Sequence, residues 1–111
     1  MGFSRAVRVG PHVFVAGTAP IMPDGADPPA DAYAQTKRCL EIITTALHET
    51  GAEAKHVVRT RVFATNARDF EEIARAHGEV FGDIRPANTT VVTQLLDPRW
   101  LVEIEAEALV E

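Results

Sequence analysis

The stretch "LVEIEAEALV" (Leu101–Val110) decides how the rest of the chain is read. From Val102 onward, apolar residues and glutamates alternate one for one. Successive side chains of a strand point to opposite faces, so Val102, Ile104, Ala106, Ala108 and Val110 share one face and Glu103, Glu105 and Glu107 the other. The apolar face is expected to meet helices. The carboxylate face has two readings. It is a solvated surface with Arg59 and Arg61 lying across from it, or it packs against other copies of the chain, which makes one carboxylate a site residue.

Working outward, Asp97-Pro98 is a turn, and "RPANTTVVTQL" (Arg85–Leu95) holds a strand expected over Thr89–Leu95, its entrance crowded by Asn88, Thr89 and Thr90. Upstream of Gly82, Phe70, Ile73, Ala74, His77 and Phe81 recur as the buried stripe of a helix. Asp69 and Glu72 form a pair resembling a capping box at its start. "VVRTRVFA" (Val57–Ala64) is β-branched and alternating, hence a strand. Thr36, Cys39, Leu40, Ile43, Ala46 and Leu47 mark a long amphipathic helix, with Asp31 as N-cap and Gly51 as the residue just past its end. Between it and the two opening strands, Val7–Val9 and His12–Gly17, lies a loop with Pro20, Pro23, Pro28, Pro29 and the turn Asp24-Gly25. The order is ββαβαββ, an α+β fold with a mixed sheet and both helices on one face.

The chain has 111 residues, of which 46% are apolar and 24% charged, and a net charge of −5. That is one domain, residues 1–111, with a single core. Apolar runs are too short for a membrane span, and no signal peptide is expected. The lone Cys39 fits a reducing, cytoplasmic setting. Nucleic-acid binding is disfavoured, because it needs clustered basic residues. Here Lys37 and Arg38 lie on a helix, Arg59 and Arg61 on a strand, and Arg85 and Arg99 in loops.

The usual catalytic devices are missing. His12, His48, His56 and His77 lack metal-ligand spacing, so no metal or other cofactor is expected. His77 reads as a packed or interface residue and His12 as surface. Ser4 has no nucleophile-elbow context. Cys39 lies on a buried stripe as a small hydrophobe. No glycine-rich phosphate loop is present.

Several segments together resemble one family. "VFVAGTAP" is similar to the glycine-containing strand end, often "SGQIP", of the reactive intermediate deaminase family (Rid, YjgF or L-PSP type). "AYAQTKRCLEIITTALHETGA" resembles its first helix, "VVRTRVFAT" its central strand, "RPANTTVV" its "PARSxVxV" and "VEIEAEAL" its "IEIEA" signature. The resemblance implies a chorismate-mutase-like fold assembled as a homotrimer, with a small-molecule site in each cleft between subunits. It also implies cofactor-free hydrolysis of reactive enamine or imine acids to keto acids and ammonia. In such proteins an arginine after "PA" grips the substrate carboxylate and a strand glutamate orients the attacking water. Carried over, Glu103 is that glutamate, Asn88 stands where the arginine would be, and Thr90, Gly17, Thr18 and Phe3 line the cleft. Thr18 replaces a common glutamine, and Phe3 falls near the usual tyrosine. The expectation is a Rid-type small-molecule enzyme of altered specificity. The alternative is a trimeric binding protein without turnover, and an endoribonuclease is the weakest reading.

Overall fold

The computed structural model describes residues 1–111. Its elements are β1 (Ala6–Val9), β2 (His12–Thr18), α1 (Ala32–Glu49), β3 (Val57–Ala64), α2 (Phe70–Phe81), β4 (Ala87–Val92) and β5 (Val102–Leu109). They realise the expected ββαβαββ order as an α+β fold. The five strands form one sheet in the order β1-β2-β5-β3-β4. β3 and β4 run parallel while every other neighbouring pair is antiparallel. A parallel pair cannot be closed by a tight hairpin, so α2 supplies the crossover.

β5 behaves as its alternation requires. Val102, Ile104, Ala106 and Ala108 are buried, while Glu103, Glu105 and Glu107 stay half-exposed. α1 covers the apolar face with Thr36, Cys39, Leu40, Ile43, Ala46 and Leu47, all buried. Asp31 Oδ1 accepts from the Ala34 N–H at 2.7 Å and caps its start. At its end, the Ala52 N–H reaches the Leu47 carbonyl (2.8 Å) and the Gly51 N–H that of His48 (3.0 Å). This paired closure needs a left-handed residue between the helix and Ala52, and Gly51 provides it at φ 82°.

α2 departs from expectation in two respects. The Asp69–Glu72 capping box is not made: Asp69 already has helical backbone angles and its side chain caps nothing. A short 3₁₀ turn, Ala67–Asp69, leads into the helix instead, with Asn66 Oδ1 accepting from the Arg68 N–H at 2.9 Å. The buried stripe is also rotated, with Ile73, Ala76 and Phe81 in the core. Phe70 and Ala74 are exposed and face the hollow beside β4 together with the half-buried His77.

The fourth strand runs over Ala87–Val92 rather than Thr89–Leu95. Its extent is set by β3, its only ladder partner, which ends at Ala64. The Thr93 N–H still bonds the Ala64 carbonyl (2.8 Å), and beyond it the chain has nothing to pair with. On the sheet face away from the helices, β1 and β2 expose Val7, Val9 and Phe14.

Candidate functional site

β2 carries a bulge. Val15 pairs with Ala106 and Thr18 with Ile104, so Ala16 and Gly17 together stand opposite Glu105. An extra residue of this kind redirects nearby side chains and is common beside active sites. Here it brings Gly17 against Glu103. A Cβ built on Gly17 would run into the Glu103 carboxylate oxygen Oε2, so the absent side chain is the space that the carboxylate occupies.

Glu103 stands apart from its strand neighbours in its electrostatics. Register pairs Arg59 with Glu107, Arg61 with Glu105 and Phe63 with Glu103. Accordingly Arg59 lies 3.9 Å from Glu107, and Arg61 lies 3.8 Å from Glu105 and 3.4 Å from Glu107. The charge-paired face foreseen from the sequence is therefore real for two glutamates. Glu103, beside a phenylalanine, has no such partner. Burial pushes its carboxyl above the usual carboxylate value; Arg5 pulls it down, and Glu105 adds to the rise.

Arg5, which nothing in the sequence singled out, completes this cluster. Its Nη1 donates to the Gly17 carbonyl at 2.7 Å and to Thr18 Oγ1 at 3.0 Å. The exposed ring of Phe3 lies 5.6 Å from the guanidinium carbon. Thr18, expected in the loop that lines the cleft, has a buried side chain that donates to the Ala16 carbonyl at 2.8 Å and receives Arg5, and so holds the bulge.

Asn88 and Thr90 lie elsewhere. Parallel register sets Asn88 beside Thr60 and Thr90 beside Val62, and both of these β3 residues are buried under the helices. Their side chains therefore project from the face opposite to that of Glu103, and a single chain does not bring them together with it. Thr90 Oγ1 donates to Asn88 Oδ1 (2.8 Å), Asn88 Nδ2 donates to Thr60 Oγ1 (3.0 Å), and Thr60 Oγ1 is 2.9 Å from His77 Nε2. With Thr60 accepting from Asn88, its one hydroxyl proton suits an unprotonated Nε2. Burial lowers the His77 pKa, in keeping with a neutral ring. The hollow over this relay measures about 180 Å³ and is walled by Val62, Phe70, Ile73, Ala74, His77 and Gly78.

Other features supply no chemistry. Cys39 is buried, and desolvation, then the Glu103 charge, raise its thiol to about 12. No three His, Cys, Asp or Glu side chains converge to hold a metal ion. The largest hollow, about 710 Å³ under the loop around Leu95 and Trp100, has Asp97 as its sole titratable group. That carboxylate is already taken by Arg99 at 2.9 Å.

Comparison with known proteins accounts for this arrangement. The family model for Endoribonuclease L-PSP matches residues 1–110. A RutC family protein of Pyrococcus abyssi is 37% identical over 110 residues, covering 98% of this chain and 87% of that one. Among solved structures, Rv2704 of Mycobacterium tuberculosis, a YjgF/YER057c/UK114 family member, shares 44% identity at a TM-score of 0.88, over 97% of this chain and 86% of that one. TdcF of E. coli, solved with bound serine, shares 25% identity at a TM-score of 0.91, over 100% and 89%. The chain thus belongs to the L-PSP family, that of the YjgF/YER057c/UK114 and RutC proteins.

Proposed function

We propose that this chain is a Rid-type hydrolase acting on a small enamine or imine metabolite, in clefts formed between the subunits of a cytoplasmic homotrimer. Each chain acts as one domain over residues 1–111. Glu103, Gly17 and Phe3 of one subunit face Asn88 and Thr90 of the next. The observation that carries the reading is Glu103 itself: a carboxylate raised by burial, left without an ion pair, and given room by a glycine at a bulge. The projection of the two residue sets from opposite faces of the sheet supports a cleft completed by a second copy. So do the exposed apolar side chains of Val7, Val9 and Phe14 on the uncovered face. The family relative TdcF binds serine, a small amino acid.

In the reaction, the imine enters protonated at nitrogen, an enamine reaching this form by taking a proton at carbon. Water adds to the iminium carbon while the Glu103 carboxylate takes one of its protons, which leaves a neutral carbinolamine. The carbinolamine nitrogen takes that proton from Glu103 and becomes an ammonium leaving group. The C–N bond breaks with its electron pair going to nitrogen as ammonia, the hydroxyl becomes the carbonyl, and its proton passes to Glu103, which releases it to solvent. The products are a 2-oxo acid and ammonia. A base whose pKa lies closer to the working pH than that of an ordinary carboxylate suits this shuttle. No metal or organic cofactor takes part.

A second reading, a binding protein without turnover, draws on Asn88. It replaces a cationic arginine with an amide that is already engaged by Thr60 and Thr90. Ammonia release from freshly generated 2-iminopropionate and 2-aminoacrylate separates the two. The hydrolase reading expects activity in the natural protein that disappears in Glu103→Ala. Silence in the natural protein favours the binding reading. RNA cleavage is opposed by the net charge of −5 and the dispersed basic residues.

A further inference from the structure

We propose that Arg5 is the anion anchor of this cleft, so that the site selects substrates carrying a carboxylate next to the reacting carbon despite having asparagine at position 88. The inference rests on the hydrolase reading for the reaction, but not for the binding step.

Position 88 is not equipped to hold an anion. The Asn88 side chain is neutral, its Nδ2 donates to Thr60 and its Oδ1 accepts from Thr90. The cations of the uncovered sheet face are also committed, Arg59 to Glu107 and Arg61 to Glu105 and Glu107. Arg5 differs from them. It makes no salt bridge, and only its Nη1 is hydrogen-bonded within the chain. Both acceptors of that nitrogen belong to the bulge: the Gly17 carbonyl is fixed by the backbone, and Thr18 Oγ1 has turned its lone pairs outward by donating to the Ala16 carbonyl.

The guanidinium is thereby set before any ligand arrives, and its Nε–Nη2 edge keeps two parallel N–H groups free. That edge matches the two oxygens of a carboxylate, a pairing that lysine or an amide cannot reproduce. The hollow of about 340 Å³ that Arg5 borders lies toward α1, with Thr18, Ala19, Ile21, Arg38 and Ile42 on its walls, and Glu103 does not line it. Gly17 fixes the relation to the chemistry. Its carbonyl holds Arg5 while the Glu103 carboxylate packs where its side chain would be. A carboxylate on Arg5 is thus held beside the same glycine that Glu103 packs against, within reach of the Arg5 charge that Glu103 feels. The class selected is a small 2-imino or 2-enamino acid; an uncharged imine lacks the anchor.

The test uses the intact purified protein titrated calorimetrically with pyruvate, the 2-oxo acid product expected from 2-iminopropionate, and with pyruvamide as its uncharged counterpart. Arg5→Gln is expected to weaken pyruvate binding about tenfold to a hundredfold, the range for loss of a charged hydrogen-bonding partner, and to leave pyruvamide unchanged. Arg61→Gln, which removes a cation of the same face already paired with Glu105 and Glu107, is expected to change pyruvate binding less than about threefold, well short of that range. Equal pyruvate affinity in Arg5→Gln, an equal loss in Arg61→Gln, or no binding of pyruvate to the natural protein at millimolar concentration would each overturn the assignment. Should Arg5→Gln fail to fold, Arg5→Lys decides: it keeps the charge without the fork, so pyruvate affinity equal to that of the natural protein overturns the proposal and a several-fold loss upholds it. Pyruvate binding that depends on Arg5, with no ammonia released, sinks the hydrolase and leaves the anchor. Ammonia release indifferent to Arg5→Gln does the reverse.

Discussion

Replacing Gly17 with alanine should separate the space occupied by Glu103 from the stability of the fold. The new Cβ meets one carboxylate oxygen of Glu103, whereas the carboxyl carbon and Cγ stay at 3.5 and 3.9 Å, ordinary contact distances. No backbone atom is involved, and the φ of Gly17 lies outside the left-handed region, so the main chain has no reason to shift. Glu103 must swing aside, which costs about 0.5–1.5 kcal/mol if it leaves its rotamer well. Against that, alanine restricts the unfolded chain and contributes about 0.4–1 kcal/mol. The two effects nearly cancel, and Tm should stay within about 8 °C of the natural protein for a domain of this size. Activity should not survive as well. A displacement of about 1 Å in a catalytic group can cost about a hundredfold in rate, and that is the loss in kcat/KM for ammonia release expected of Gly17→Ala. Circular dichroism melting and the ammonia assay on the same preparation give both numbers. Full activity in Gly17→Ala alongside a dead Glu103→Ala would refute the idea that the carboxylate works from the space at Gly17. A collapse in Tm would show that Glu103 cannot move and that the glycine is needed for folding.

The raised Glu103 carboxyl gives a pH signature. If its ionised form is the base, the acid limb of kcat/KM should lie above 4.5, the ordinary value, and Arg5→Gln should move it higher still by removing the charge that pulls it down. A limb at or below 4.5 in the natural protein would contradict this. For stability the sign is that of a raised group: the contribution is full below the unfolded value and is lost as pH climbs through the folded one. Urea titrations across that window should therefore show Glu103→Gln gaining on the natural protein as pH rises. Elsewhere, Arg85 sits in the left-handed region at φ 57°. Such a residue costs about 1–2 kcal/mol, partly offset on substitution by the entropy of glycine, so Arg85→Gly should raise stability by up to about 1 kcal/mol. A lower urea midpoint would mean that the arginine side chain holds the turn.

The parts of this molecule legible in its sequence are those fixed by one chain segment alone. β5 declares itself because every second residue has the same character over its whole length, and α1 because its stripe, its Asp31 cap and its Gly51 exit agree. The parts that were misread depend on a partner. The extent of β4 is set by where β3 stops, and the rotated stripe of α2 follows from a 3₁₀ turn that displaces the Asp69 cap. In the candidate site, Gly17 meets Glu103 and the Phe3 ring lies by Arg5, while the Thr18 hydroxyl is held by hydrogen bonds that residue type does not reveal. Arg5 was invisible for the same reason. One arginine before a short strand has no pattern, yet its carbonyl accepts from the Ala16 N–H at 2.9 Å and continues the β1–β2 ladder. Extending the alternation of Val7 and Val9 back by one step places Arg5 on their face, the face of Glu103. The bulge then does the rest: with one extra residue at Ala16-Gly17, the strand turns a carbonyl toward the arginine and an empty Cβ position toward the carboxylate. Under the proposed anchoring role, the neutral amide at position 88 and the arginine at position 5 belong to one arrangement, in which the positive charge of the cleft sits on the strand beside Glu103 rather than on the strand beside α2.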